Sequence, residues 1–190
     1  EAWFTKTPGL KVVYPAFPFD AKGLLLAAID DPKPVIYFEH KYLYRSISED
    51  IADEEYTIEI GKARVVQEGA NASIITYGLG VHWALAYAKD HPEAAVEIID
   101  LRSLQPWDKE AVEASAKKTG RVMILHEDTL TSGFGGEIAA HLAEHCFSYL
   151  DAPIMRCASL DTSIPMNKAL EDQFLANARL EETMERLLKY

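Results

Sequence analysis

Most of the chain alternates between short apolar runs and longer segments in which apolar residues recur every three or four positions. From residue 62 onward the apolar, β-branched runs predict strands, and the segments between them have the helical period. Strands that alternate with helices are typical of an α/β sandwich around a mostly parallel sheet that is buried on both faces. The predicted strands are residues 62–67, 72–77, 95–101, 121–126 and 154–158. The predicted helices are residues 81–90, 109–118, 134–150 and 180–188.

The start of the chain shows the same pattern on a smaller scale. A strand over residues 10–14 precedes a helix over residues 21–29, which Asp20 can cap, and a further strand is predicted at 34–39. This unit is too small to bury both faces of a parallel sheet by itself. We therefore interpret residues 1–45 as the end of a first domain.

A polar, acidic stretch separates the two parts of the chain. It contains SISEDIADEEY, and no helical or alternating period persists through it. The pattern predicts a linker over residues 46–60 and a complete second domain over residues 61–190. Because the chain opens on Glu1 rather than Met, inside what reads as a helix ending at Pro8-Gly9, we expect a piece of a longer protein.

The composition limits the kinds of partner that the chain can bind and the compartments in which it can work. The 190 residues include 48% hydrophobic and 26% charged residues, which excludes a disordered or fibrous chain. Nineteen Lys and Arg against 30 Asp and Glu give a net charge of −11, which argues against binding nucleic acid or anionic lipid. Only Cys146 and Cys157 are present, no apolar run is long enough for a membrane span, and no signal peptide is visible. These features favour a cytoplasmic protein.

Two glycine-containing segments imitate phosphate-binding motifs. Gly78-Leu79-Gly80 opens a predicted helix after a strand, and Asp100 follows at the end of the next strand, but Trp83 replaces the third glycine of a dinucleotide fingerprint. The segment Gly133–Gly136 also opens a helix, but it lacks both the third glycine and the lysine of a P-loop. An ordinary strand-to-helix turn is the favoured interpretation of both.

One helix contains a sequence that matches an inverted zinc-protease signature. His141, Glu144 and His145 have the H-x-x-E-H spacing, but helix phase places them opposite the apolar stripe, on the solvated side. No third ligand is evident, and no nucleophile elbow of the G-x-S-x-G type occurs. The residues alone therefore predict an acidic α/β domain without a complete catalytic constellation.

Several stretches, in order and spacing, resemble the β subunits of thiamine-dependent 2-oxo acid dehydrogenases, in their branched-chain (2-oxoisovalerate) form. Three of these stretches resemble the branched-chain members more than the pyruvate members, namely Trp107, Leu43-Tyr44-Arg45 and His126-Glu127. The matching stretches are PGLKVV at 8–13, DAKGLL at 20–25, FE at 38–39, LYR at 43–45, VEIIDLR at 96–102, QPWD at 105–108, KTGR at 118–121, HE at 126–127, GF at 133–134, GEI at 136–138 and LDAP at 150–153.

The resemblance implies a fold and a reaction. It implies a three-layer, transketolase C-terminal-domain-like sandwich over residues 61–190, preceded by the end of a thiamine pyrimidine-binding domain over residues 1–45. The complete enzyme would use thiamine diphosphate and Mg to decarboxylate a 2-oxo acid and pass the acyl group to a lipoyl arm. In that family the cofactor-activating Glu and the active-site His lie upstream of the part matched here. We therefore expect no catalytic or cofactor-binding residue in this chain, and no activity from it alone.

The resemblance also implies two binding sites and three protein partners. A structural potassium (K+) loop would correspond to Ala28, Ile29, Asp31 and Lys33, although relatives often have Asn at the last position. Asp151, with the chain end near Tyr190, would receive the small basic subunit-binding domain of the dihydrolipoyl acyltransferase core. The other implied partners are an α subunit, or the α half of a fused chain, and a second β subunit.

Other functions remain open on the sequence. The β subunit of a pyruvate or acetoin dehydrogenase is the nearest alternative to the branched-chain form. Another transketolase-like enzyme, such as a deoxyxylulose phosphate synthase, would need a basic phosphate site that this acidic chain does not show. A stand-alone α/β module that binds a nucleotide or a protein is the third.

Overall fold

The computed structural model describes residues 1–190, and strands and helices alternate through most of the chain. The first 46 residues contain α1 (Ala2–Thr5), β1 (Lys11–Val13), α2 (Pro18–Asp30), β2 (Val35–Tyr37) and α3 (Leu43–Ser46). The remainder contains β3 (Arg64–Gln67), β4 (Ala72–Thr76), α4 (Leu79–Asp90), β5 (Val96–Asp100), β6 (Ser103–Gln105), α5 (Lys109–Thr119), β7 (Val122–Thr129), α6 (Gly135–His145), β8 (Met155–Ser159), α7 (Lys168–Phe174) and α8 (Leu180–Leu188). None of these helices has the length and apolar character needed to cross a bilayer.

The main sheet has five strands in the order β3-β5-β4-β7-β8. Only β3 is antiparallel to its neighbour, and the other three pairings are parallel. Helices cover both faces of this sheet, so the predicted α/β sandwich with a mostly parallel sheet is confirmed. The central strands were predicted from runs of β-branched residues. Parallel strands need such runs because both faces of a parallel sheet are buried.

Successive residues of the central strands enter two separate cores. In β4, Ile75 packs on the face covered by α5 and α6, whereas Ile74 packs on the face covered by α4 and α8. Both side chains are fully buried. Each contributes roughly 1.5–3 kcal/mol by leaving water, and the alternation along the strands fixes which face each residue occupies.

Helix α5 shows how the local sequence sets its boundaries. The Asp108 carboxylate accepts a hydrogen bond from the Ala111 amide at 3.1 Å and so caps the first turn. Gly120 ends the helix in the left-handed conformation, with φ at 68°. The predicted helix over residues 109–118 is therefore correct to one residue.

A second sheet joins the first part of the chain to the second. Its order is β2-β1-β6, with β1 parallel to β2 and antiparallel to β6. No strand is predicted at β6 from the sequence, so β1 and β2 are predicted as an isolated pair. In the structure β6 supplies the missing neighbour, and the Tyr14 amide extends the contact by donating to the Arg102 carbonyl at 2.8 Å.

The prediction that Asp20 caps α2 is wrong. The helix begins at Pro18, whose fixed φ suits the first helical position, and Asp20 lies inside the first turn. The Asp20 side chain is fully buried and accepts from Arg102 at 3.0 Å and from Arg64 at 3.2 Å. It therefore ties α2 to the second part of the chain.

The predicted linker runs along α2 without regular secondary structure of its own after α3. The Lys22 ammonium donates to the carbonyls of Ala52 and Glu54. The Tyr56 ring stacks on Phe19 with ring centres 4.5 Å apart. The side chains between residues 48 and 55 are nevertheless exposed to solvent. This segment is therefore a surface loop that is attached to α2 by these contacts.

Two elements near the chain end differ from the expectation. Helix α6 ends at His145 rather than near residue 150, and a 3-10 turn over Phe147–Tyr149 follows it. The short helix α7 is absent from the prediction. Its start is capped by the Asn167 side chain, which accepts from the Ala169 amide at 3.0 Å.

Candidate functional site

Helix α6 has two apolar faces, and only one of them lies in the core. Ile138 and Leu142 are fully buried against the main sheet. Ala140 and Ala143 lie on the other side, exposed to solvent. A helix of a compact domain ordinarily buries one apolar stripe and solvates the rest, so a second apolar face marks a surface of interest.

This second face forms one side of an open groove of about 890 Å³, which we call the α6 groove. Asp151 and Tyr190, which the sequence analysis assigns to partner binding, both line it. The structure thus brings together two residues that are 39 positions apart in the sequence. The other lining residues include Ala139, Ala140, Ala143, Phe147, Pro153, Ile154 and Arg156.

The Asp151 carboxylate is held in place by its backbone and has no ion-pair partner within the chain. The Asp151 amide donates to the Gly120 carbonyl at 2.7 Å. A Cβ on Gly120 would stand 2.5 Å from Asp151 Oδ2, so glycine at the end of α5 also provides space for this carboxylate. Asp151 follows a 3-10 turn rather than the helix end assumed from the sequence, and it remains exposed.

The four residues of the predicted potassium loop lie at the end of α2. Ala28 and Ile29 belong to its last turn, where carbonyl oxygens lack intrahelical donors and suit a hard cation. The Asp31 carboxylate, however, accepts from the Lys11 ammonium and from the Lys33 amide. Both contacts lower the pKa of the Asp31 carboxyl group, and the hydrogen bond from the Lys11 ammonium has the larger effect. The backbone carbonyls therefore fit a cation better than the carboxylate does.

The crevice in which open α/β sheets usually bind ligands adjoins the first part of this chain. It lies at the carboxyl ends of β4 and β7, where the strand order reverses. Tyr14 from the first part of the chain packs there against Tyr77, with ring centres 5.8 Å apart. Gly78 has φ at 55°, and a Cβ on it would stand 2.7 Å from the Tyr14 ring. The glycine of the apparent nucleotide motif thus serves the contact between the two parts.

The second glycine segment encloses a buried histidine. A Cβ on Gly133 or Gly135 would stand 2.5–2.6 Å from the His126 ring. Neither ring nitrogen of His126 has a hydrogen-bond partner, and burial lowers the pKa of this side chain to about 4. The glycines at the start of α6 therefore accommodate a neutral imidazole beneath the loop.

The two histidines of the H-x-x-E-H sequence have structural partners. The His141 ring bonds Glu113 at 3.0 Å and packs edge-on to Trp107, while His145 stacks on His141. The prediction that His141 lies on the solvated side is wrong, because only 10% of its side chain is exposed. No three His, Cys, Asp or Glu side chains converge on a metal position in residues 1–190.

Family models divide the chain where the two structural parts meet. Residues 61–179 match the C-terminal domain of transketolase, and residues 1–46 match the pyrimidine-binding domain of transketolase. The first of these matches covers more than half of the chain. The chain belongs to the transketolase C-terminal domain family. The expected resemblance is therefore confirmed at the level of family and fold.

Curated relatives of this transketolase-family chain are β subunits of 2-oxo acid dehydrogenases. "2-oxoisovalerate dehydrogenase subunit beta" of Bacillus subtilis is 43% identical over 100% of this chain and 59% of the relative. "2-oxoisovalerate dehydrogenase subunit beta 2, mitochondrial" of Arabidopsis thaliana is 45% identical over 87% of this chain and 47% of the relative. "Pyruvate dehydrogenase E1 component subunit beta" of Staphylococcus aureus is 45% identical over 93% of this chain and 55% of the relative.

The chain spans about half the length of the curated relatives it matches. A solved structure described as "Split gene transketolase, inactive beta4 tetramer" aligns with a TM-score of 0.79 over 99% of this chain and 60% of that chain, at 24% identity. That likeness confirms the transketolase-type fold. Because the named branched-chain and pyruvate relatives are about equally similar, identity does not separate the two substrate classes.

Phe147, which is 78% exposed in the α6 groove, is not predicted as a site residue from the sequence. The signal that could have found it is the second apolar stripe of α6. That stripe is visible in the sequence once the core stripe at residues 138, 142 and 146 is assigned.

Proposed function

We propose that the chain is the C-terminal part of the β subunit of a thiamine-dependent 2-oxo acid dehydrogenase, with a branched-chain 2-oxo acid as substrate. The complete enzyme would convert a 2-oxo acid and a lipoyl group to an acyl-lipoyl group and carbon dioxide, with thiamine diphosphate supplying the decarboxylation chemistry. The names of the relatives and the match to both transketolase domains support this proposal.

Assembly and docking, rather than chemistry, are the proposed work of residues 1–190. In the family that the chain resembles, the cofactor-activating Glu and the active-site His lie upstream of the part matched here. At the usual ligand crevice of the sheet, Tyr14 packs against Tyr77 and Gly78. We therefore assign no catalytic or cofactor-binding residue here, and we expect those groups upstream in the complete subunit.

The docking proposal rests on one observation, that Asp151 and Tyr190 both line the α6 groove. A free carboxylate at the edge of an apolar groove fits a partner with Lys or Arg beside an apolar contact. That description suits the small basic subunit-binding domain of the dihydrolipoyl acyltransferase core. An α subunit, separate or fused, and a second β subunit would complete the assembly, in a reducing, cytoplasmic compartment.

A bound potassium ion at Ala28, Ile29, Asp31 and Lys33 is part of the same proposal. The carbonyl oxygens of the last turn of α2 support it. The ammonium groups of Lys11 and Lys33 would oppose a cation that approached the Asp31 carboxylate.

The docking proposal is tested by Asp151→Ala in a titration with the cognate subunit-binding domain. We expect Kd to rise at least about tenfold, or roughly 1.4 kcal/mol, with little change in the melting temperature. Asp90→Ala is the matched control, since Asp90 is exposed, unpaired and outside the groove. If Kd does not change, or if the variant unfolds, Asp151 has a structural role rather than a docking role.

The β subunit of a pyruvate or acetoin dehydrogenase is the alternative. The Staphylococcus aureus relative supports the pyruvate form at 45% identity. Rates with branched-chain 2-oxo acids and with pyruvate, compared in the assembled enzyme, decide between them.

A further inference from the structure

We propose that a cavity between the amino ends of the main sheet and helix α8 binds a small zwitterion, an α-amino acid with an aliphatic side chain. This sheet-end cavity has a volume of about 470 Å³, and all of its lining residues belong to the second part of the chain. It lies at the opposite end of the sheet from the crevice beside Tyr14 and away from the α6 groove. The proposal is therefore independent of the docking function.

The sheet side of the cavity carries a guanidinium group without a partner. Asn71 and Arg121 directly precede β4 and β7, and these strands pair in parallel, so the two residues are neighbours at one edge of the sheet. Arg121 Nε is buried and has no hydrogen-bond acceptor. Buried polar nitrogens ordinarily have one. A guanidinium beside a side-chain amide suits a carboxylate, which accepts charge-assisted hydrogen bonds.

The helix side of the cavity has more carboxylates than cations. Glu181 and Glu185 lie one turn apart on α8, and Glu93 lies in the 3-10 turn that follows α4. The His91 imidazole is shared, at 3.4 Å from the Glu93 carboxylate and 3.7 Å from that of Glu181. The cation nearest to Glu185 is the exposed Lys189 ammonium, at 3.9 Å. This wall therefore suits an ammonium group.

Tyr87 lies between these charges and responds to them. Partial burial, and then the negative charges of Glu93, Glu181 and Glu185, raise the pKa of the Tyr87 hydroxyl. The three carboxylates thus act on one region of the cavity.

The rest of the lining is apolar and already ordered. The Tyr87 ring stacks on His91 with ring centres 4.6 Å apart, which holds the imidazole in place. Ala94 is buried and Leu188 is half-buried, and both line the cavity. These surfaces fit an aliphatic side chain better than a second charged group.

The two walls together select for a ligand with both charges. A simple anion would meet the carboxylates of Glu93, Glu181 and Glu185, and a simple cation would meet the Arg121 guanidinium. An α-amino acid carries an ammonium and a carboxylate on one carbon atom, so it can satisfy both walls at once.

The proposal is tested by calorimetric titration of the full-length protein with L-leucine and with two analogues that each lack one charge. These are 4-methylpentanoate, which has only the carboxylate, and 3-methylbutylamine, which has only the ammonium. Leucine should bind with a Kd of about 1 mM or tighter, and each analogue should bind at least about tenfold more weakly. Arg121→Gln should raise the Kd for leucine about tenfold or more, and Glu181→Gln should raise it about fivefold or more.

Two exposed residues on α8 that lie outside the cavity provide matched controls. Arg186→Gln removes a guanidinium and Glu182→Gln removes a carboxylate, and both variants should bind leucine within about twofold of the wild type. If Arg121→Gln unfolds, Glu181→Gln decides, because Glu181 is exposed and its replacement leaves the core intact.

Three results would overturn the proposal. The first is no binding of leucine at about 10 mM. The second is binding of either single-charge analogue as tightly as leucine. The third is a folded Glu181→Gln variant that keeps the wild-type Kd, or a control variant that weakens binding as much as the cavity variants do.

Discussion

Replacing Asp20 by Ala should destabilise the contact between the two parts of the chain. The Asp20 side chain is fully buried, and the side chain of its partner Arg102 is only 13% exposed. Arg102 also donates to the carbonyls of Lys62 and Ala63, at 3.1 Å and 3.2 Å. Its guanidinium therefore cannot move out to water without breaking contacts on both sides, and the substitution leaves a nearly buried charge unpaired.

Breaking a buried pair by removing one partner costs about 3–5 kcal/mol. The contribution of Arg64 is smaller, since its side chain is 45% exposed and can find water. For a chain of this size each kcal/mol lowers Tm by about 2–4 °C, so a decrease of about 6–20 °C is expected. Thermal unfolding followed by circular dichroism measures it.

Asp53→Ala is the matched control, because Asp53 is exposed and unpaired. Hydrogen exchange should also show faster exchange of the amides in α2 of the Asp20 variant than in the wild type. A Tm within 2 °C of the wild type, with unchanged exchange in α2, would refute the proposed role of the ion pair.

Three further predictions concern pH, proteolysis and cofactor binding. Burial raises the pKa of Asp100 to about 7, so the folded protein keeps a proton that the unfolded chain loses near pH 4. The free energy of unfolding should therefore fall as pH rises from about 4 to 7. In denaturant titrations, Asp100→Asn should flatten that pH dependence. Limited proteolysis should cut first within residues 46–56, whose side chains are mostly exposed, and first cleavage inside residues 61–190 would contradict the domain boundary. Calorimetric titration of residues 1–190 with thiamine diphosphate and magnesium should show no binding, and micromolar affinity would mean that the cofactor residues are misassigned.

The main sheet was predictable because its central strands β4, β5 and β7 contain apolar runs that are buried in the structure. The strand β6 was not, since it has three residues and pairs with a segment about 90 positions earlier in the chain. Asp20 resembled a cap because Asp commonly precedes helices. Its pairing with Arg102 is a tertiary contact that no local pattern contains.

The candidate site was predictable in part. Asp151 and Tyr190 came from resemblance, and the structure adds that both line one groove. For the glycines at 78 and 135 the sequence favours ordinary strand-to-helix turns over phosphate-binding motifs. Glycine is needed at these two positions because the backbone lies close to the rings of Tyr14 and His126. That packing cannot be read from the sequence.

The central claim is that this chain is part of a 2-oxo acid decarboxylating enzyme. Its most direct test is decarboxylation by the complete β subunit assembled with its α partner, thiamine diphosphate and magnesium. Carbon dioxide release and acyl transfer to a lipoyl domain are measured with branched-chain 2-oxo acids and with pyruvate. We predict turnover that depends on the cofactor and is fastest with the branched-chain acids. Absence of turnover with every 2-oxo acid, in an assembly that contains all parts, would contradict the account.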